Sequence, residues 1–260
     1  MESEVVAGAS ANFSMRNVGI DRPGAAHVVW GHGWGQSGAA MLPLAESLSG
    51  FVFSTVIDFP GFGASPMPAF PWGTEDYADA AAEWLKSDPH RSRFWVGHSF
   101  GGRVGIQLAA RHPELLDGLV LIASAGLPRK RGPLESARFF LRRNLFKLAR
   151  RFVGEGPLLN RLRSRLGSSD YRSAGPLRQI LTKVVSEDLT DVAAKVTCPV
   201  LLLYGDRDTE TPVEIGERFH TIMKNSQLVV LEGLNHLSVL GEGRHQTVRH
   251  ILSFIKSEAR

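Results

Sequence analysis

Short apolar runs alternate with stretches of helical period along most of the chain. His27-Val28-Val29-Trp30, Phe51 to Ile57, Arg93 to Val96, Leu119 to Ala123, Val200 to Tyr204 and Leu228 to Leu231 predict six strands. Between them, residues 74–86 repeat apolar positions at helical spacing (Tyr77, Ala81, Trp84, Leu85), with Thr74 placed to cap the start. Phe100 to Ala110, Val213 to Met223 and residues 239–257 predict three more helices. Strands that alternate with helices are the signal of βα units. The pattern therefore predicts an α/β fold with a mostly parallel central sheet flanked by helices.

The alternation breaks once. From Ala123 to Pro199 no strand pattern occurs, and three helical patterns follow one another: Phe139 to Phe152, Leu158 to Leu166, and Leu177 to Val185. This predicts a helical cap, or lid, at 126–189. The core is then made of residues 1–125 and 190–260. No internal repeat or low-complexity segment interrupts either part.

Four of the predicted strand ends carry chemistry. Gly97-His98-Ser99-Phe100-Gly101 matches G-x-S-x-G, with an apolar strand before it and a helix after it. That context makes Ser99 a candidate nucleophile on a tight strand-to-helix turn. Trp30-Gly31-His32-Gly33-Trp34-Gly35 follows the His27–Trp30 strand. Its glycines let backbone N–H groups approach, so the amides of Trp34 and Phe100 are the candidate oxyanion donors. His32 is expected to shape that loop by a hydrogen bond, and His98 to pack against the elbow.

The order that goes with such an elbow is nucleophile, acid, histidine. Of nine histidines, His236 lies in the loop after the last predicted strand, while His220, His245 and His250 fall inside helices. His236 is the candidate base. Asp206 and Asp208 both follow the Val200–Tyr204 strand. Asp208 has the G-x-x-D spacing of the orienting acid, and Asp206 fits a turn. Ser124, at the end of the preceding strand, leaves no competing carboxylate there.

Composition adds limits rather than detail. At 43% hydrophobic and 22% charged the chain is of ordinary globular type. Its one cysteine, Cys198, can form no intrachain disulfide, which fits a reducing compartment. The acidic Met1-Glu2-Ser3-Glu4 and the lack of a long apolar run predict a cytoplasmic protein without a signal peptide or membrane span. No metal or organic cofactor is implied. The net charge of +4 is unevenly spread: residues 127–185 hold 15 Lys and Arg against three acids, the remainder 15 against 23. Such a segment can draw an anionic partner, or it can be a solvated helical face. No aromatic-interleaved basic strand suggests nucleic acid.

With His32-Gly33-Trp34-Gly35, Asp58 to Ser65, Gly97 to Gly102, Arg111-His112-Pro113-Glu114, Gly205 to Asp208 and His236, the chain resembles the α/β-hydrolase superfamily along nearly its whole length. The superfamily's dehalogenases need Asp where this chain has Ser99. The resemblance implies a serine hydrolase of the carboxylesterase class, working through a Ser-His-Asp triad and an acyl-enzyme. A C–C bond hydrolase with the same triad, or a weakly catalytic ligand receptor, would share the motifs.

The His-Gly-Trp-Gly loop and the basic cap are also similar to the pimeloyl-acyl-carrier-protein methyl ester esterases of biotin synthesis, although His98 stands where those esterases often carry Trp. That resemblance implies Trp34, Phe139 and Phe140 for the acyl chain. It implies Arg138, Arg142 and Arg143 for docking an acidic acyl-carrier protein.

Overall fold

The structure is a computed structural model that describes residues 3–7, 12–87, 92–128, 171 and 173–259. Eight strands form one sheet: β1 (Ser3–Ala7), β2 (Asn12–Val18), β3 (His27–Gly31), β4 (Phe53–Asp58), β5 (Arg93–His98), β6 (Gly118–Ile122), β7 (Val200–Gly205) and β8 (Ser226–Leu231). Their order is β1-β2-β4-β3-β5-β6-β7-β8. The pairs from β4 to β8 are parallel, and β2 lies antiparallel to both β1 and β4.

The six expected strands are all present. The two N-terminal ones were not expected, because β2 offers only Phe13 and Met15 as an apolar alternation before Arg16 and Asn17 break it. Both apolar side chains are nevertheless buried.

The helices among the described residues are α1 (Leu42–Ser47), α2 (Thr74–Leu85), α3 (Phe100–Arg111), α4 (Arg178–Ser186), α5 (Thr190–Ala193), α6 (Val213–Ile222) and α7 (Arg244–Glu258). Thr74 is not the cap of α2. Gly73 takes that place, and its amide donates to Asp76 Oδ2 at 2.7 Å. Thr74 opens the helix itself, and its amide and hydroxyl both donate to Glu187.

Burial explains why the central strands read as unbroken apolar runs. Every residue of β3, β6 and β7 is buried, as expected of parallel strands covered on both faces. One face packs Trp30, Val56, Phe94, Val96, Ile122 and Leu203 with Met41 and Leu44 at α1 and Ile251, Phe254 and Ile255 of α7. On the other, α3 approaches Trp95 and Leu119 so closely that a methyl group at Gly105 would stand 2.5 and 2.9 Å from them.

Contacts divide the chain into two compact units, Met1–Leu127 with Lys183–Arg260 and Pro128–Thr182. Most of the second unit lies outside the described residues.

Candidate active site

Parallel strands that run the same way deliver their C-terminal ends to one edge of the sheet. Here β3, β5, β7 and β8 end at Gly31, His98, Gly205 and Leu231, so the loops bearing Trp34, Ser99, Asp208 and His236 leave from that edge.

Ser99 sits between β5 and α3 with φ 49° and ψ −103°, a conformation that costs a non-glycine residue about 1–3 kcal/mol. The turn holds because its neighbours have no side chains. A Cβ at Gly97 would meet the Gly101 carbonyl oxygen at 2.3 Å, and one at Gly101 would meet that of Gly31 at 2.2 Å. The Ser99 amide donates to Ile122 O at 3.0 Å and the Gly101 amide to His32 O at 3.0 Å. Trp95 Nε1 donates to Gly101 O at 2.9 Å.

The amides of Trp34 and Phe100 donate to no described residue. Phe100 is the first residue of α3, where backbone N–H groups and the helix dipole favour negative charge. The half-buried Trp34 ring stands edge-on to Phe62 and Phe100, 5.0 and 5.6 Å between centroids.

His32 ties this loop down. Its Nδ1–H donates to Gly33 O at 2.8 Å, and its Nε2 accepts from the Phe59 amide at 3.1 Å. Burial holds its pKa down to about 4, so the ring is a neutral strut.

Asp208 and His236 meet directly. His236 Nδ1 donates to Asp208 Oδ2 at 2.8 Å. Oδ1 of the same carboxylate accepts the amides of Glu210 and Thr211, both at 2.8 Å. The Thr211 hydroxyl lies 2.8 Å from Oδ2 and 3.0 Å from Ala123 O, and its single proton is shared between them. Burial pushes the Asp208 carboxyl up, but the bonds from His236 and Thr211 outweigh it and hold the pKa below the usual carboxylate value. Asp206 Oδ1 accepts the Gly233 amide at 2.6 Å, a bond to the loop after β8, 27 positions on, rather than within its own turn.

The acid and base loops are also joined through the backbone. Arg207 N donates to Leu234 O at 2.9 Å, and a Cβ at Gly205 would stand 2.2 Å from that oxygen. Asn235 Oδ1 accepts the amides of Leu237 and Ser238, closing a turn around His236. At His236 Nε2 the nearest carboxylate is Glu210 Oε2, 3.5 Å away on a side chain 67% exposed.

The structure brings Asp208 and His236 together, and His98, the residue before Ser99, has its Nε2 2.9 Å from His236 O; among the described residues no hydrogen bond joins the Ser99 hydroxyl to His236. Arg138, Phe139, Phe140, Arg142 and Arg143 lie outside the described residues. Sequence reasoning missed Thr211, Glu210 and Asn235. For Asn235 a signal existed, since Asn followed three residues later by Ser is a turn pattern. Among the described residues no group of three or more His, Cys, Asp and Glu could hold a metal ion. Among them, too, no helix is long and apolar enough to cross a membrane.

Residues 28–250 match the Alpha/beta hydrolase family. The pimeloyl-[acyl-carrier protein] methyl ester esterase of Methylococcus capsulatus is 30% identical over 246 residues, 88% of this chain and 94% of the relative. That of Chromobacterium violaceum is 28% identical over 251 residues, 89% of this chain and 95% of the relative. The crystal structure of a membrane phospholipase A superposes with a TM-score of 0.77 at 24% identity, covering 98% of this chain and 86% of that one. A serine hydrolase involved in carbazole degradation gives 0.74 at 19% identity, covering 98% of both.

Proposed function

Because this chain belongs to the alpha/beta hydrolase family and is a hydrolase, we propose that it cleaves carboxylic esters through an acyl-enzyme on Ser99. The observation that carries the reading is the 2.8 Å bond from His236 Nδ1 to Asp208 Oδ2 at the sheet edge where Ser99 stands. A carboxylate can only accept, so the imidazole proton sits on Nδ1 and Nε2 is left as a base.

The steps follow from that tautomer. Ser99 Oγ attacks the ester carbonyl carbon while His236 Nε2 takes its proton. The carbonyl oxygen becomes an oxyanion, held by the amides of Trp34 and Phe100. His236 then gives its proton to the leaving alcohol, and the acyl group stays on Ser99. Water attacks next, losing its proton to His236. The acid leaves as Ser99 recovers the proton. Asp208 balances the imidazolium at each stage.

The proposed substrate is a methyl ester of an acyl group on an acyl-carrier protein, which would place the enzyme in the cytoplasm and in biotin synthesis. The names of the relatives support this, as does the basic character of residues 127–185. In this reading residues 126–189 are a helical lid. Trp34, Phe139 and Phe140 meet the acyl chain, and Arg138, Arg142 and Arg143 meet the acidic carrier.

The test compares turnover of the carrier-bound methyl ester with the free methyl ester at low and high salt, with Ser99→Ala as the blank. The reading expects the carrier-bound ester to be preferred and salt to erase the preference. Equal turnover that salt does not change would remove the carrier.

A further inference from the structure

Of the imidazoles that take no part in the proposed chemistry, His98 lies against the base itself. His98 ends β5 directly before Ser99 and is 1% exposed. Its Nε2 lies 2.9 Å from the main-chain oxygen of His236. The two rings lie tilted at 48° to each other, 4.8 Å between centroids.

A carbonyl oxygen only accepts, so His98 carries its proton on Nε2 and donates it. Nδ1 is then a bare lone pair, buried, with no partner among the described residues. It lies against the glycine loop: a Cβ at Gly33 would stand 2.7 Å from it. Burial, and after it the charge of His236, holds the ring's pKa down to about 3. The ring is therefore neutral beside the base.

We propose that His98 is a positioning residue, wedged between Gly33 of the oxyanion loop and the carbonyl of His236, that sets the distance from the base to the oxyanion donors. The inference rests on the acyl-enzyme reading above. The bond to Asp208 and that from Arg207 N to Leu234 O tie the His236 loop to the acid loop, but neither ties it to the oxyanion loop. The bond from His98, whose ring lies against Gly33, supplies that link. A shift near 1 Å at a reacting group costs about a hundredfold in rate, so a modest loosening is visible in kcat.

Ser99 reactivity can be read without knowing the natural substrate. The experiment measures the rate of fluorophosphonate labelling, and kcat and KM for p-nitrophenyl acetate, in wild type, His98→Leu and His98→Gln. Leu keeps the bulk and loses the donor, whereas the Gln amide reaches the place of Nε2.

The expected result is a fall of about 30-fold in labelling rate and kcat for H98L, with KM within about twofold. H98Q should recover to within about fivefold of wild type. Leu and Gln equally slow, or Leu as fast as wild type, would overturn the proposal. The ¹⁵N spectrum of His98 in the wild-type chain tests it independently of any variant's folding. A neutral Nε2–H tautomer persisting to pH 5 is expected, and an Nδ1–H tautomer would overturn it. Failure of wild type to label at Ser99 would instead sink the acyl-enzyme reading, and this inference with it.

Discussion

The two halves of the site are built by opposite means. The half around Ser99 and Trp34 is made of absences: Gly97 and Gly101 let backbone come within 2.2–2.3 Å of where a Cβ would be, and Gly31 and Gly33 let side chains come within 2.7–2.9 Å. In the proposed reaction it offers the substrate main-chain amides, and its two side-chain struts, His32 and His98, are buried and neutral. The half around Asp208 and His236 is made of bonds: one carboxylate accepts from His236, Thr211 and the Glu210 amide. Sterics hold the first half and charge-assisted hydrogen bonds the second. Changes to the glycines of the first should therefore show in folding, and changes to the bonds of the second in rate.

The largest expected effect is on the bonded half. In Asp208→Asn the amide oxygen must face the Glu210 and Thr211 amides, which turns its NH2 group toward His236 Nδ1. The imidazole is then forced into the tautomer that cannot take a proton from Ser99. kcat should fall about 10⁴-fold, with the melting temperature moving by only a few degrees.

Gly97→Ala should show the opposite signature. Its Cβ would strike the main chain of Gly101 and Gly102, which cannot yield, so a loss of about 3 kcal/mol is expected. That is a fall of about 6–12 °C in melting temperature, read by differential scanning fluorimetry. A stable but inactive Gly97→Ala would erase the distinction between the halves.

Acid separates them in a third way. His32 and His98 have native pKa values near 4 and 3, below the usual 6.5 of the unfolded chain. Below pH 6.5 the unfolded chain binds protons that the native one refuses. Stability is therefore full above pH 6.5 and falls as pH drops toward 4, by up to about 1.4 kcal/mol per pH unit for each ring. The Asp208 carboxyl, lowered in the native state, adds its own loss only below about pH 4. Melting curves from pH 7 to 4 should thus be shallower in His98→Gln than in wild type, and unchanged in slope in Asp208→Asn.

The smallest effect belongs to Thr211→Val, which removes the hydroxyl shared by Asp208 and Ala123. A loss of about 1 kcal/mol, or about fivefold in kcat, is expected from one buried hydrogen bond.

How legible these halves were in the sequence follows from the same physics. Ser99, Trp34 and Phe100 could be named because glycines mark both loops in the sequence, although several of the close approaches run between segments, Gly101 to Gly31 and Gly33 to His98. His236 and Asp208 could be named because each follows the C-terminal end of a parallel strand, β7 buried throughout and β8 buried only at Leu231. Thr211 could not, because its hydroxyl serves Ala123, 88 positions earlier. The bond from His98 to the His236 carbonyl spans 138 positions and involves a backbone atom that every residue has. β2 was hidden by composition, since Ser14 is buried by donating its amide to Ser65 rather than by being apolar. The residues of the basic segment could be named, but charge alone does not say what they meet.

The central claim is that Ser99 carries the acyl group, and its direct test is active-site labelling. The wild-type chain is titrated with a fluorophosphonate, residual hydrolysis of p-nitrophenyl acetate is measured at each point, and the adduct is located by mass spectrometry. The expected result is one adduct per chain, on Ser99, with activity lost in proportion to labelling and no labelling in Ser99→Ala. An adduct elsewhere, or full activity in a chain fully labelled at Ser99, would contradict it.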